Sequence, residues 1–308
     1  MKKKYLVYLL IVMITGCVTV EQQIISTPTA TANVRELSRI TNDESLEQSP
    51  KASPDGKKIV YTTLDTSKYA GEAYSIVGIN LDHAGKNLVA GPYAMDPAWM
   101  NDGDSIVYTY LKAAKPILVK QPYAGMGMTF ITPSSMGGFD GQPDISPNGD
   151  RIAFHTQMGS GFVICTVNID GSEFTVYTEG TSPRWHPTDN MLVFDKSDGT
   201  NVHIFTLNLD SGQVTQLTSG QHHNAFPVWS PDGKWIAFVS DRDGKYHLYA
   251  MKSTGANLTQ LTQGETQEHW PDWASTGYLY FISNAGYETT PSNDWAHTDI
   301  WRIFPVLQ

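Results

Sequence analysis

The sequence has 308 residues, 40% hydrophobic and 17% charged, enough for one large domain or two ordinary ones. Lys and Arg number 21 against 31 Asp and Glu, a formal net charge of −10, which excludes a binder of nucleic-acid phosphate built on clustered basic charge. Two cysteines exclude a disulfide scaffold and a four-cysteine metal site.

Met1 to Lys4 is basic, and Tyr5 to Ile14 is almost wholly apolar. That apolar run is too short to cross about 30 Å of hydrocarbon as a helix, but it suits the core of a signal peptide. It ends in Ile14-Thr15-Gly16-Cys17. This resembles the bacterial lipoprotein signal, in which a cysteine after a small residue is lipidated and becomes the new N-terminus. Multiple acyl chains on Cys17 would make a durable tether. Val18 follows Cys17 rather than Asp, a pattern associated with outer-membrane sorting in enteric bacteria. Residues up to 34 are rich in Thr, Ser, Gln and Ala without apolar period, and read as a flexible spacer.

The remainder is one unit written six times. Its clearest copy is Phe226-Pro227-Val228-Trp229-Ser230-Pro231-Asp232-Gly233-Lys234-Trp235-Ile236-Ala237-Phe238. The leading prolines are Pro50, Pro97, Pro143, Pro183, Pro227 and Pro271, a period close to the ~40–45 residues of a four-stranded propeller blade. The Asp-Gly or Asn-Gly pair in each copy reads as a tight hairpin whose two central residues both take positive φ. The Ile-Ala-Phe run is a buried strand, and Tyr246 to Met251 alternates as a third. Gln213 to Thr218 and Asn257 to Thr262 are fourth strands sharing Thr-Gln-Leu-Thr. The last copy lacks a fourth strand after Val306, whereas Glu36-Leu37-Ser38-Arg39-Ile40-Thr41 carries its pattern near the other end. The prediction is an all-β, six-bladed β-propeller of four-stranded blades, closed by the N-terminal strand pairing in the last blade, which leaves no open edge in the ring. Trp99, Trp185, Trp229 and Trp273 recur at one repeat position and are predicted to pack between blades. Cys165, in a strand-like run, reads as a small buried hydrophobe.

Trp229-Ser230-Pro231-Asp232-Gly233 with Ile236-Ala237-Phe238, then Ser240-Asp241-Arg242-Asp243-Gly244 and Leu258-Thr259-Gln260-Leu261-Thr262, resemble the TolB-like propeller repeats of bacterial envelope proteins. The resemblance spans residues 35–308 and implies a cell-envelope propeller. TolB carries an additional N-terminal α/β domain, for which this sequence has no room, so its role in the Tol system does not carry over. The predicted organisation is a lipoprotein signal peptide over 1–16, a lipid-anchored flexible linker over 17–34, and a TolB-like propeller over 35–308.

Loops entering the first strands and joining second to third strands gather on one propeller face, where function tends to lie. The longest runs from Ser283 to Thr298. The candidate ligand or partner face is His222, His223, Asn224, Gln267, Glu268, His269, Trp270, Trp295 and His297. If that face holds a divalent metal, His222, His223, His269 and His297 are its ligands, assembled across blades 5 and 6. Otherwise no cofactor is expected. No Gly-x-Ser-x-Gly elbow, phosphate loop or His-Glu-x-x-His is present, so no catalytic residue is assigned. Asp241 to Gly244 lacks the distal Glu of a calcium loop and reads as a plain turn.

The expected function is a lipid-anchored, non-catalytic module that binds an envelope protein or peptide. It would be a monomer held to a membrane, expected to be the outer one, by its lipid, on the periplasmic side or at the cell surface. One alternative is a metal-dependent carbohydrate-active enzyme resembling oligogalacturonate lyase, whose propeller has seven blades. Another is a small-ligand propeller in which Trp270 and Trp295 stack on a sugar or aromatic group.

Overall fold

The computed structural model describes residues 27–308, apart from 43–44, 66, 69–72, 83–84, 114, 134–137 and 286–296. Cys17, Trp295 and the leader lie outside the described residues. Two strands precede the first blade, β1 (Thr29–Ala30) and β2 (Val34–Arg39). Blade 1 is β3 (Leu46–Ala52), β4 (Lys58–Leu64), β5 (Tyr74–Asn80) and β6 (Lys86–Ala90). Blade 2 is β7 (Ala94–Trp99), β8 (Ser105–Tyr110), β9 (Ile117–Pro122) and β10 (Thr129–Phe130). Blade 3 is β11 (Gly141–Ile145), β12 (Arg151–Met158), β13 (Gly161–Asn168) and β14 (Thr175–Glu179). Blade 4 is β15 (Thr181–Trp185), β16 (Met191–Ser197), β17 (Val202–Asn208) and β18 (Val214–Gln216). Blade 5 is β19 (Asn224–Trp229), β20 (Trp235–Ser240), β21 (His247–Lys252) and β22 (Thr259–Gln260), with β23 (Thr262–Gln263) following. Blade 6 takes β24 (Glu268–Trp273), β25 (Leu279–Ser283) and β26 (Asp299–Pro305) from the C-terminus and β2 from the N-terminus, in the order β2-β26-β25-β24. The predicted six-bladed ring and its closure are both present.

Between blades the core forms radial seams. Val239 and Leu248 of blade 5 pack with Phe281 and Trp301 of blade 6. Ile59 and Tyr61 of blade 1 pack with Tyr280 and Ile282 of blade 6, so the closing seam is as apolar as the others. The recurrent tryptophans add an interblade hydrogen bond. Trp99 Nε1 donates to Lys51 O at 3.0 Å, and Trp229 Nε1 to Arg184 O at 3.3 Å. Cys165 is fully buried, and burial pushes its thiol up to about 12, which makes it inert.

In blades 2, 4, 5 and 6 a threonine two residues after the outer strand fastens that end of the blade. The hydroxyls of Thr41, Thr132, Thr218 and Thr262 accept from the backbone N–H of Ile300, Leu118, Ile204 and Leu248. Thr41 then donates to Glu47, and Thr262 to Glu268 at 2.8 Å, both carboxylates standing at the start of the next blade. This is the physical role of the Thr-Gln-Leu-Thr signature.

Two expectations are corrected. In the Asp-Gly and Asn-Gly turns only the glycine has positive φ, for example 67° at Gly56 and 69° at Gly233. Gly56 N donates to Ser53 O, while Asp55 Oδ1 accepts from Lys57 N and Ser53 Oγ. The aspartate therefore works as a side-chain acceptor within the turn rather than as a second left-handed residue. The spacer reading of 17–34 also fails at its C-terminal end. Thr29 and Ala30 pair with Gln263 and Thr262, and Thr31 N donates to Leu261 O, because β23 offers an edge that this polar segment can satisfy.

Glu47 sits at the closing seam with no exposed surface. Burial raises its carboxyl to about 8, with Asp299 adding to the rise and Thr41 and the Ile300 N–H opposing it. Lys86, half exposed at 3.5 Å, does not offset the burial. A carboxyl whose pKa is raised in the folded chain favours folding while protonated. Its contribution is whole below the ordinary value of 4.5 and is lost as pH rises through about 8. Glu47→Gln should therefore melt at least about 2–4 °C above the wild type at alkaline pH, the shift expected of ~1 kcal/mol, with the gap closing in mild acid. Equal melting temperatures at both pH values would sink this account.

Candidate functional site

Every inner strand is bulged at the same place. Its register slips around the residue before the repeat proline, as between Gln48 and Lys51 or between His269 and Asp272. Those residues are Ser49, Asp96, Gln142, Ser182, Phe226 and Trp270, all with φ between 48° and 54°. A non-glycine residue there costs about 1–3 kcal/mol, and a bulge re-aims its side chain. Here all six side chains turn into the central channel.

The channel is lopsided. Blades 1 to 4 contribute Ser49, Asp96, Gln142 and Ser182, and blades 5 and 6 contribute Phe226 and Trp270. Ser49 donates to the buried Asp96 at 2.8 Å. Gln142 Oε1 and Trp270 Nε1 have no hydrogen-bond partner. The enclosed space among these groups is about 20 Å³, room for roughly one water.

Just beyond four of the six prolines stand Lys51, Asp144, Arg184 and Asp272, which form a charged floor. Lys51 meets Asp272 at 3.2 Å, and Arg184 reaches Asp144 at 3.1 Å and Asp272 at 3.8 Å. The remaining carboxylate oxygens accept from the N–H of Ala52 and Trp185. Burial raises both carboxyls, and Arg184 holds Asp272 against that rise. The channel is thus plugged by paired charge and is no open pore.

On the loop face a groove of about 450 Å³ runs across blades 3, 4 and 5. Phe162, Val202, Ala225 and Phe226 make its apolar lining, with Gly161 and Gly180 on its wall. At its base Asp195 accepts from the Phe226 N–H at 2.8 Å and from Thr181. Burial raises this carboxyl to about 6, against its hydrogen bonds. The groove runs to Phe226 and so joins the channel mouth.

The predicted face residues fare unequally. Asn224 and Glu268 have no exposed surface and cannot meet a ligand. Asn224 accepts from Arg242 at 2.7 Å, and Glu268 accepts from Thr262, Thr266 and Ser283 and pairs with His247. Both fasten loops: Asn224 also donates to His222 O, and Glu268 gathers threonine and serine hydroxyls. His269 packs among Phe226, Tyr246 and Trp270, and burial pulls it down to about 3, so it stays neutral. His222 is exposed beside Asp241, at 3.7 Å. His223 follows it in the chain, Gln267 N donates to Asn284 Oδ1, and His297 stands two residues before β26. The four histidines do not converge. Among the described residues no three His, Cys, Asp or Glu side chains are arranged to hold a metal. Trp270 lies at the channel mouth.

Apart from Trp270, sequence reasoning did not single out the channel residues, although a signal was present. They flank the repeat prolines, as a polar or aromatic residue one position before each and a charged residue one position after four of them.

The TolB beta propeller domain family matches residues 29–180 and 175–290. No curated protein sequence matches the chain. TolB from Acinetobacter baumannii superimposes with a TM-score of 0.65 at 19% identity, over 81% of this chain and 64% of that one. The chain thus spans less than two thirds of that TolB. An oligogalacturonate lyase in complex with manganese gives 0.58 at 9% identity, over 91% of this chain and 96% of that one. The tricorn protease gives 0.62 at 16% identity, over 86% of this chain and 26% of that one. At these identities the likenesses concern the fold alone, and proteins of unlike function share it. With the family matched across most of its length and the ring closed as that fold requires, the chain belongs to the TolB beta propeller domain family.

Proposed function

We propose that this protein is a lipid-anchored propeller of the bacterial cell envelope that binds a protein or peptide segment without catalysing a reaction. The observation that carries the reading is the apolar groove of about 450 Å³ opening at Phe226 onto the channel mouth. Phe162 and Phe226 offer anchor surface at the two sides of the groove. Family membership supports an envelope location, and Gly16-Cys17 supports the tether. The carbohydrate-lyase alternative rests on a histidine metal set that the described residues do not assemble.

The test is a photoreactive benzoylphenylalanine placed at Phe162, with a control at the exposed rim residue Val214. The full chain, expressed in its own host, should give a discrete adduct with an envelope protein from Phe162, several-fold stronger than from Val214. Equal labelling at both positions, or metal-dependent cleavage of an oligosaccharide by the purified chain, would overturn the reading.

A further inference from the structure

The opposite mouth of the channel carries a second recess. Two hollows of about 180 and 290 Å³ share Asp144, Asp272, Trp273 and Ser275. Together they reach the size of a small-ligand site. They lie on the face of the Asp-Gly turns, away from the groove. The wall includes Ser230 and Pro231 from one such turn and Ser53 and Pro54 from another.

Three features select a ligand class. The floor is charged but balanced, since Lys51 and Arg184 match Asp144 and Asp272 in close pairs. A balanced floor exerts no net pull on an ion, yet it exposes carboxylate acceptors and cationic donors side by side. Hydroxyl groups, each both donor and acceptor, are complementary to such a floor. The second feature is Trp185. The indole N–H groups of Trp99 and Trp229 bond to a carbonyl of the preceding blade, whereas that of Trp185 has no partner although the residue is only 6% exposed. Arg151 covers the ring face at 4.9 Å, and the residue borders the larger hollow. A buried donor without a partner costs about 1–3 kcal/mol, which a ligand oxygen can relieve. The third feature is Trp273, part-exposed where the hollows meet, with its own N–H already given to Gly277 O. What it offers a ligand is apolar ring, suited to the C–H face of a sugar.

We infer that this lower mouth is a binding site for a neutral saccharide. Hydroxyl pairs of the sugar bridge Asp144, Asp272 and Arg184, a further oxygen accepts from Trp185 Nε1, and a ring face lies on Trp273. Carboxylates of the surrounding turns, among them Asp55, Asp102, Asp189 and Asp232, disfavour an acidic sugar. The site is independent of the groove on the other face and would stand if the peptide reading failed.

The experiment is calorimetric titration of the full chain, held in a zwitterionic detergent, with tri-N-acetylglucosamine, maltotriose and trigalacturonate. At least one neutral trisaccharide should bind saturably with a dissociation constant on the order of 1 mM or tighter, and trigalacturonate about tenfold more weakly or not at all. Ser275→Arg, at an exposed position where the larger side chain fills the hollow, should abolish binding, and Trp185→Phe should weaken it several-fold. Phe162→Ala in the distant groove should leave it unchanged. Saturable binding of neither neutral sugar, equal binding of trigalacturonate, or binding that survives Ser275→Arg would overturn the inference.

Discussion

Deleting residues 35–41 should lower the melting temperature by more than about 10 °C and broaden the transition. The segment contains most of β2, the fourth strand of blade 6. Without it β26 presents an unpaired edge. Leu37 leaves its place against the blade 5–6 core, and Ile40 leaves the blade 6–1 core. Arg39 is lost from Asp299, whose side chain has no exposed surface. Removing one partner of a buried pair costs about 3–5 kcal/mol, because the other charge stays buried. The Thr41 clasp on Glu47 goes as well. Together these exceed about 5 kcal/mol, a large share of the ~5–15 kcal/mol that holds a typical domain. Removing only Thr29 and Ala30 should cost far less, since they pair with two residues at the rim. Circular-dichroism melts of both deletions test this, with gel filtration to detect association through the bared edge. A transition unchanged by the larger deletion would mean that the ring does not depend on its closing strand.

Arg184→Met should be the most damaging single substitution in the channel, costing about 3–5 kcal/mol near neutral pH. Arg184 is the cation shared by Asp144 and Asp272, and Lys51 touches only the second of them. Methionine keeps much of the packing, so the loss reports the charge. Burial already raises both carboxyls, and losing the cation raises them further. Raised carboxyls favour the fold below their unfolded pKa and lose that contribution as pH rises through the folded one. The deficit of Arg184→Met relative to the wild type should therefore be largest in alkali and shrink in mild acid. Asp144→Asn with Asp272→Asn in the Arg184→Met background should recover most of the stability by removing the uncompensated charges. Thermal melts between pH 5 and 9 read both outcomes; a deficit independent of pH, or no rescue by the double amide, would refute the electrostatic account.

Much of this architecture was legible because it is periodic. Pro50 through Pro271 mark six inner strands, Ile-Ala-Phe runs mark the buried second strands, and Glu36 to Thr41 supplies the one missing strand. The four-tryptophan column foretold interblade packing, and for Trp99 and Trp229 it also fastens neighbouring blades. The candidate face was legible only as a set of loops. His222, His223, His269 and His297 share that face without meeting, and Asn224 and Glu268 turn inward to hold backbone and threonine groups.

The sequence by itself determined the blade count, the strand order and the closing strand. These follow from hydrophobic alternation and turn chemistry that repeat locally, and each copy reinforces the others. Tertiary structure alone decided what fills the centre. The bulge before each proline rotates one side chain per blade into the channel, and their meeting depends on six strands distant in sequence converging on one axis. Thus Ser49, Asp96, Gln142, Ser182, Phe226 and Trp270 become one lining, and Arg184 comes to bridge Asp144 and Asp272. Distances of that kind are set by ring closure, a property of the whole chain that no single repeat contains.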